Sequence, residues 1–365
     1  MLRMNIPVIG ILALLAAAHA SAGITVTINT DAAKADLIAL KNPLLTHDEA
    51  LKIAQIPGNQ GIIRKQNEFN IPVTTEIFAN ALVAAAQGRQ VTDPSEVTLY
   101  FDRVKPKVEQ LLALTREIDG DPQAFQRPIE KRIALFTPPG SDIHLEGYIV
   151  AGGDGGGYAF GGTDFYLNLL FNDDFVAARI VTTHELYHAV QGAFRSETGR
   201  VVEVPAQPPN NSQQACIDIA NLFKDLYDEG SAMVVEDSSA LAQSQSESAA
   251  RQLADINDGM AHLHDSATLL ELSVIGLNAS NSVPSDDVYA VGFHGHGVLY
   301  DIGYGMARAI TASDGPQGLA VFLKQAPYKF VLHYTELPTY GLDKDHPRLG
   351  PNTLSALKRV ADGCK

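Results

Sequence analysis

Hydrophobic residues recur every three or four positions through much of the first third of the chain, which is the spacing of amphipathic helices. A short alternating segment, Ile24–Ile28, precedes them. Thr46 followed by Glu49 has the spacing of a capping box, so we expect one helix to begin there. The pattern predicts helices over four segments, Asp31–Leu40, Ala50–Ala54, Thr74–Gln87 and Ser95–Ile118.

Hydrophobicity then alternates with a period of two, which is the pattern of strands. A glycine-rich run at residues 152–157 could suggest a phosphate-binding loop. No Gly-Lys-Ser/Thr follows it and no helix begins there with GxGxxG spacing, so a flexible hairpin turn is the better interpretation. The pattern predicts a small antiparallel sheet with strands over Arg132–Phe136, Glu146–Ala151 and Thr163–Phe171.

Helical spacing returns after Asn172-Asp173-Asp174 and continues towards the C-terminus. The helices predicted there are Phe175–Phe194, Ala215–Val235, Ala249–Leu263, Gly297–Thr311 and Pro316–Gln325. This layout predicts a mainly helical α+β fold in which the small sheet lies beside one long helix. We expect a mainly helical N-terminal lobe over residues 23–130, a core over 131–236 and a helical C-terminal lobe over 237–365.

The N-terminus has the three parts of a secretory signal peptide. Arg3 is followed by an apolar run from Ile6 to Ala18, and Ala18-His19-Ala20 offers a small-residue cleavage site. The alternative is a transmembrane anchor, but the run is shorter than the ~20 residues needed to span a bilayer. Residues 1–22 are therefore predicted to be a signal peptide, and the mature protein is expected to be periplasmic or extracellular without a membrane anchor.

Charge and cysteine content limit the partners that the protein can bind and the kind of scaffold that it can form. The 365 residues include 27 Lys+Arg and 42 Asp+Glu, for a net charge of −15, which argues against a nucleic-acid partner. Two cysteines, Cys216 and Cys364, exclude a disulfide-dense scaffold and a CxxC zinc site. They could pair in an oxidising compartment or remain two free thiols. The oligomeric state is left open.

The long predicted helix contains an HExxH motif formed by His184, Glu185 and His188. Histidines four residues apart lie on one helical face and can bind one zinc ion, while the glutamate can act as a general base on water. The alternative is a pair of surface histidines salt-bridged to acids. The metzincin extension is excluded because Gln191 and Phe194 occupy the positions where that class has glycine and histidine.

A catalytic zinc site needs a third protein ligand, and helix phase favours Glu229 for this role. Glu229 lies at the edge of the apolar stripe that includes Leu226, whereas Asp228 points to the opposite, polar side. A carboxylate at the margin of a packed face is costly unless it has a charged partner or a metal. Gly230 beside it leaves room for another helix to approach.

The sequence His184-Glu185-xx-His188, followed on a later helix by Glu229-Gly230-x-Ala232, resembles the gluzincin arrangement of zinc metallopeptidases. It is particularly similar to bacterial exported zinc-dependent peptidases whose second motif is Glu-Gly-x-Ala. A weaker similarity involves Tyr300-xx-Gly303-xx-Met306-Ala307 and Pro327-xx-Phe330-xxx-Tyr334. The resemblance implies a zincin-like fold in which a downstream helix supplies the third ligand.

Other polar residues are candidates for supporting roles. A zinc peptidase needs a hydrogen-bond donor for the developing oxyanion. Each candidate for this role could instead be an ordinary packed aromatic residue or a loop histidine. The candidates for the donor are His294, His296, Tyr300 and Tyr304. Asp225 and Glu236 could orient the metal ligands, although solvated surface acids are an equal alternative.

The leading hypothesis is an exported zinc-dependent metallohydrolase, and specifically a peptidase that acts on a peptide or protein substrate. One Zn²⁺ would be held by His184, His188 and Glu229, with Glu185 as base and then proton donor. Strand Thr163–Phe171 is predicted to be the sheet edge where an extended peptide could pair. The alternatives are a non-catalytic zinc-binding or structural protein and a zinc hydrolase of non-peptide substrates. Whether the N-terminal lobe is a removable pro-region stays open.

Overall fold

The computed structural model describes residues 23–198, 210–279, 281–293 and 297–364, without the side chains of residues 196–198. The predicted signal peptide, residues 1–22, therefore lies outside the described residues, as do His294 and His296. The described chain is mainly helical with one four-stranded sheet, which confirms the prediction of a mainly helical α+β protein.

The N-terminal part consists of one strand and eight helices. They are β1 (Ile24–Asn29), α1 (Asp31–Leu40), α2 (His47–Ala54), α3 (Pro57–Glu68), α4 (Thr75–Ala86), α5 (Pro94–Val97), α6 (Phe101–Val104), α7 (Val108–Gly120) and α8 (Pro122–Leu135). The capping box is present, since the Thr46 side chain accepts from the Glu49 backbone N–H and the Glu49 carboxylate accepts from that of Thr46. The helix predicted over Ser95–Ile118 is interrupted, because Tyr100 adopts a left-handed conformation with φ of 52°.

One predicted strand is wrong, because Arg132–Phe136 forms the end of helix α8 and the residue after it. Ile129 and Ile133 are both fully buried, and their spacing of four residues belongs to a helix. Within five residues, a strand pattern and a helical pattern place hydrophobic residues at similar positions. The helical spacing that begins before this segment identifies it as part of a helix. The Arg132 guanidinium donates to the carbonyls of Val234 and Val235.

The sheet is mixed, with the strand order β1-β2-β4-β3. Its other strands are β2 (Ile143–Val150), β3 (Gly157–Ala159) and β4 (Asp164–Asn168). Strand β2 runs parallel to β1 and to β4, whereas β3 is antiparallel to β4. The predicted antiparallel sheet is thus wrong for two of the three pairings. A crossing connection through the eight helices α1 to α8 joins β1 to β2, and such connections allow parallel pairing.

Strand β4, predicted as the edge, lies inside the sheet between β2 and β3. Four of its five residues are buried, so both of its faces are covered. The edge strands are β1 and β3, each of which pairs on one side only, and β3 is the edge strand next to β4. The glycine run at 152–157 therefore connects β2 to a strand that is not its neighbour, and residues 160–163 make the hairpin turn instead.

Helices form the rest of the described chain. They are α9 (Phe175–Thr198), α10 (Asn211–Glu236), α11 (Glu247–Ala261), α12 (Leu263–Asn278), α13 (Ser285–Phe293), α14 (Val298–Ala320), α15 (Tyr328–Glu336) and α16 (Pro351–Ala361). Helix α14 joins the two helices predicted over Gly297–Thr311 and Pro316–Gln325, with a kink at Gly315, where φ is 74°. No helix in these described ranges is long and apolar enough to cross a membrane.

Helices α10 and α14 cross at two glycines. A β-carbon on Gly230 would overlap the backbone of Gly303, and one on Gly303 would come 2.5 Å from the Leu226 carbonyl oxygen. Gly230 therefore allows the close helix approach that the sequence predicts. Farther along α10, Cys216 forms a disulfide with Cys364, which ties this helix to the C-terminal end. One hydrophobic core contains residues from Ile24 to Leu357.

Candidate metal centre

Helices α9 and α10 bring three potential metal ligands together. His184 and His188 lie one turn apart on α9 and face Glu229 on α10. The Nε2 atoms of the two histidines are 3.1 Å apart, and Glu229 Oε2 is 3.3 Å from the Nε2 of His184 and 3.2 Å from that of His188. The three side chains predicted as zinc ligands therefore converge on one point.

Hydrogen bonds on the far side of each imidazole set its orientation. His184 Nδ1 is 2.8 Å from Glu236 Oε2, and His188 Nδ1 is 2.8 Å from Gln191 Oε1. Both partners are acceptors, so each Nδ1 carries a proton, and each Nε2, which faces Glu229, is the nitrogen that can bind a metal. This pairing of a metal-ligating histidine with an acceptor is typical of zinc sites.

The spacing of the three ligand atoms fits zinc. Tetrahedral zinc with bonds of about 2.0–2.1 Å separates its ligand atoms by roughly 3.3–3.4 Å, close to the observed triangle. Glu229 Oε2 is buried and makes no hydrogen bond. Two lone pairs and a carboxylate oxygen this close would repel one another, so the arrangement needs a proton or a metal ion between them.

The charges of the cluster lead to the same conclusion. Burial opposes the charged form of His184, but the neighbouring Glu229 and Glu236 carboxylates outweigh it and raise the pKa well above its usual range. Burial likewise opposes ionisation of Glu229, yet His188 and His184 hold its pKa well below the usual value. The centre thus favours a negative carboxylate beside positive charge, which a divalent metal would supply.

The side chain of Glu185, on helix α9, extends towards the edge strand β3. A β-carbon on Gly157 would stand 2.8 Å from Glu185 Cγ and 2.9 Å from Glu185 Oε1. Burial raises the pKa of the Glu185 carboxyl, and the charges of His184 and His188 partly counter this effect. Sequence reasoning missed the role of Gly157, although it is the last residue of the glycine run.

The polar neighbours of Glu229 on α10 point elsewhere, as helix phase predicts. The Asp228 carboxylate pairs with Arg195 at 2.7 Å and with Lys224 at 3.1 Å. Asp225, a predicted orienting acid, pairs with Lys224 at 2.9 Å, whereas the other candidate, Glu236, contacts His184 directly. Only the second of these two acids can therefore orient a metal ligand through its own hydrogen bond.

Sequence reasoning considered Gln191 only as a departure from the metzincin pattern and missed its contacts. Its amide oxygen accepts from His188, and its amide nitrogen donates to the Asp228 carbonyl at 2.9 Å and to Ser231 Oγ at 2.8 Å. Gln191 thus links one metal-binding histidine on α9 to the helix that carries Glu229. Its position three residues after His188, on the same helical face, is the signal that could have identified it.

Tyr300 is the predicted oxyanion donor that lines the same cleft as His184 and Glu185. Burial, together with the nearby Glu229 charge, raises its pKa well above the usual range, so the phenol keeps its proton. Tyr304 lies one turn further and its hydroxyl is 3.5 Å from Ser238 Oγ. Sequence reasoning missed Tyr289 on α13, where burial and the Glu229 charge raise the pKa to about 12.

The cleft has a volume of about 700 Å³ and lies between the end of the glycine run and helices α9, α11 and α14. His184, Glu185, Glu236 and Tyr300 lie along its wall. Its remaining wall includes Arg251, Asp255 and Asp301. An extended peptide segment or another molecule of that size can therefore reach the candidate metal centre.

Comparison with known proteins agrees with this chemistry. Searches of curated proteins and of solved structures returned no significant match. The sequence profile of one family matches residues 51–339, which begin within α2, end just after α15 and include the three converging side chains. The chain therefore belongs to the family described as "Putative zinc dependent peptidase (DUF5700)".

Proposed function

We propose that the protein is an exported zinc metallopeptidase of the gluzincin type, with one zinc ion held by His184, His188 and Glu229. The observation that carries the proposal is the convergence of their three ligand atoms within 3.1–3.3 Å of one another. When bound, zinc acts as a Lewis acid that lowers the pKa of water and polarises a carbonyl group.

The number of ligands favours a catalytic site over a structural one. Within the described part of the chain, the cluster of potential metal ligands contains these three side chains. Structural zinc sites are closed by four protein ligands, whereas catalytic sites use three and leave a position for water or substrate. His294, which could close the site, lies outside the described residues.

Glu185 is placed to move protons during hydrolysis. Its carboxylate adjoins the histidine ligands and lies against the edge strand, where a bound peptide would pass. As general base it accepts a proton from the attacking water, and as general acid it passes that proton to the leaving amine. Tyr300 is the proposed donor to the oxyanion, because its protonated phenol faces the same cleft.

Strand β3 offers a way to bind an extended peptide. One side of β3 pairs with β4, and its other side is not paired within the sheet. A substrate backbone could hydrogen-bond to this side as an additional strand and pass directly beside Glu185. The proposal therefore moves the substrate-binding edge from Thr163–Phe171, where the sequence places it, to Gly157–Ala159. This edge favours a peptide over a non-peptide substrate.

Export is proposed from two features. Residues 1–22 have the pattern of a signal peptide, and Cys216 is disulfide-bonded to Cys364. Structural disulfides persist in the periplasm and outside the cell and are rare in the cytosol. Both features fit a protein that works in an oxidising compartment.

The test compares wild type with Glu185→Gln. Both proteins should bind about one zinc ion per chain, but hydrolysis of a quenched fluorescent protein substrate should fall by roughly 10²- to 10⁴-fold in the variant. Glu109→Gln, which alters an exposed carboxylate on α7 that pairs with Lys41, is the matched control and should leave turnover unchanged. Retained turnover in Glu185→Gln would exclude the proposed base. A wild type that binds zinc but cleaves no peptide would indicate a zinc-binding protein without peptidase activity.

A further inference from the structure

The cleft contains a buried carboxylate that the proposed chemistry does not use. Asp301 is only 7% exposed and lines the cleft one residue after Tyr300. Within the described ranges, its carboxylate makes no hydrogen bond and no ion pair. A buried carboxylate without a partner is costly, so a protein that retains one offers a place for a cation or a hydrogen-bond donor.

The opposite helix is shaped to accommodate this carboxyl group. The three atoms of the Asp301 carboxyl lie directly over Gly259 on α11, where a β-carbon would overlap all of them. Any other residue at position 259 would push the carboxylate out of its place. Glycine in a helix interior costs about 0.5–1 kcal/mol relative to alanine, so this fit is maintained at some expense in stability.

Neighbouring charges do not neutralise Asp301. The charge that acts on it most is that of Asp258, which has the same sign. Arg251 is the basic residue that lines the cleft, but its side chain is 70% exposed and lies 3.6 Å from Glu247. Asp301 lies in the first turn of α14, where the helix dipole favours a negative charge. Its carboxylate oxygens nevertheless have no hydrogen-bond donor among the described residues.

We propose that Asp301, with Asp255 at the rim of the cleft, forms a subsite for a positively charged side chain of the peptide substrate. The inference rests on the proposed peptidase function and adds to it a preference for lysine or arginine near the scissile bond. Asp255 is exposed and lines the same cleft, so it can attract the cation at the entrance while Asp301 binds it at the floor.

A lysine ammonium donates strong, charge-assisted hydrogen bonds to a carboxylate that has few competing water molecules. A norleucine side chain has a similar length and no charge, so it leaves Asp301 without a partner. Sites built to bind a polar group reject analogues that lack it more strongly than apolar pockets reject small changes of shape. We therefore expect at least a tenfold preference in kcat/KM for the lysine peptide.

The experiment uses pairs of quenched fluorescent peptides that carry lysine or norleucine at each position around the scissile bond. The ratio of kcat/KM values, lysine over norleucine, is measured for wild type, Asp301→Asn and Asp265→Asn. At one position the wild-type ratio should exceed ten and fall to about one in Asp301→Asn. Asp265→Asn removes an exposed charge on α12 that does not line the cleft, and its ratio should stay within twofold of the wild-type value. A ratio that Asp301→Asn does not change would overturn the subsite.

A binding measurement separates this inference from the proposed function. The Glu185→Gln protein is titrated with both peptides by calorimetry, and the lysine peptide should bind about tenfold more tightly. This preference should vanish when Asp301→Asn is added. If no peptide is cleaved by wild type but the lysine preference persists, the peptidase proposal fails and the cation subsite stands. Equal binding of both peptides would reject the subsite whatever the activity.

Discussion

The carboxyl group of Glu185 lies against the backbone of Gly157, so that a β-carbon on Gly157 would stand 2.8 Å from Glu185 Cγ and 2.9 Å from Glu185 Oε1. The glycine thus allows the candidate base on α9 to approach the edge strand of the sheet. Each of the two residues limits the position of the other, and this contact links the sheet to the candidate metal centre.

Gly157→Ala should therefore displace the Glu185 carboxylate without removing any proposed zinc ligand. A shift of about 1 Å in a catalytic group can lower turnover by ~100-fold, so we expect kcat to fall by that order while zinc content stays at wild-type levels. Steady-state kinetics with zinc analysis would measure both. Gly120→Ala is the control, because a β-carbon there meets no atom within 4 Å. Wild-type kcat in Gly157→Ala would contradict this role of the glycine.

Glu236→Gln should weaken zinc binding. The carboxylate accepts from His184 Nδ1 at 2.8 Å, and loss of such a partner typically lowers metal affinity by about 10- to 100-fold. Competition with a zinc chelator would give the dissociation constants. Asp225→Asn is the comparison, because its carboxylate pairs with Lys224, and we expect less than a threefold change. Equal losses in the two variants would show that general negative charge, rather than the hydrogen bond to His184, supports the metal.

The disulfide between Cys216 and Cys364 should contribute measurably to stability. It closes a loop whose ends are 148 residues apart, and removal of a native disulfide typically costs about 2–5 kcal/mol. Urea unfolding of the oxidised protein and of Cys216→Ser/Cys364→Ser would give the difference. Protein recovered from the periplasm should contain no reactive thiol. Two reactive thiols in protein from that compartment would argue against both the pairing and its value as a sign of export.

Stability should depend on pH through Asp301. Burial and the nearby Asp258 charge raise its pKa from 3.8 to about 7, so the folded protein binds this proton more tightly than the unfolded chain. The carboxylate therefore costs nothing below about pH 4, destabilises the fold progressively between pH 4 and 7, and imposes its full cost above pH 7. Asp301→Asn removes that cost.

At pH 8 we expect Asp301→Asn to be more stable than wild type by about 1–2 kcal/mol, a value reduced to allow for solvent screening. The difference should disappear near pH 4. Urea unfolding of both proteins at pH 4.5, 6 and 8 would measure it. A variant that is less stable at pH 8 would mean that the Asp301 carboxylate has a stabilising partner in the folded protein.

The parts that could be predicted from sequence depend on local geometry. His184 and His188 share a helical face because the helix repeats every 3.6 residues, and the phase of the next long helix selects Glu229 over Asp228 in the same way. The structure brings these three side chains together. The capping box at Thr46 and Glu49 is also local, and the structure confirms it.

The strand predictions were wrong where a short sequence pattern has two interpretations. Residues 132–136 fit a period of two, but Ile133 continues a helical series from Ile129 that begins before the segment. The strand predicted over Thr163–Phe171 was correctly identified as a strand and wrongly placed at the edge. Burial on both faces of β4 depends on helix α3, where the Tyr166 ring packs over Gly61.

The sequence by itself determined the two long helices α9 and α10, the HExxH pair and the phase of the third ligand, because each depends on residues within a few turns of one helix. Only the tertiary structure decided which strand forms the edge, that Gly157 faces Glu185, that Glu236 accepts from His184, and that Gly259 accommodates Asp301. The three residue contacts join positions that are 28 to 52 residues apart in the sequence, and no local period sets their distance. Their geometry follows from how helices and strands pack around one shared core.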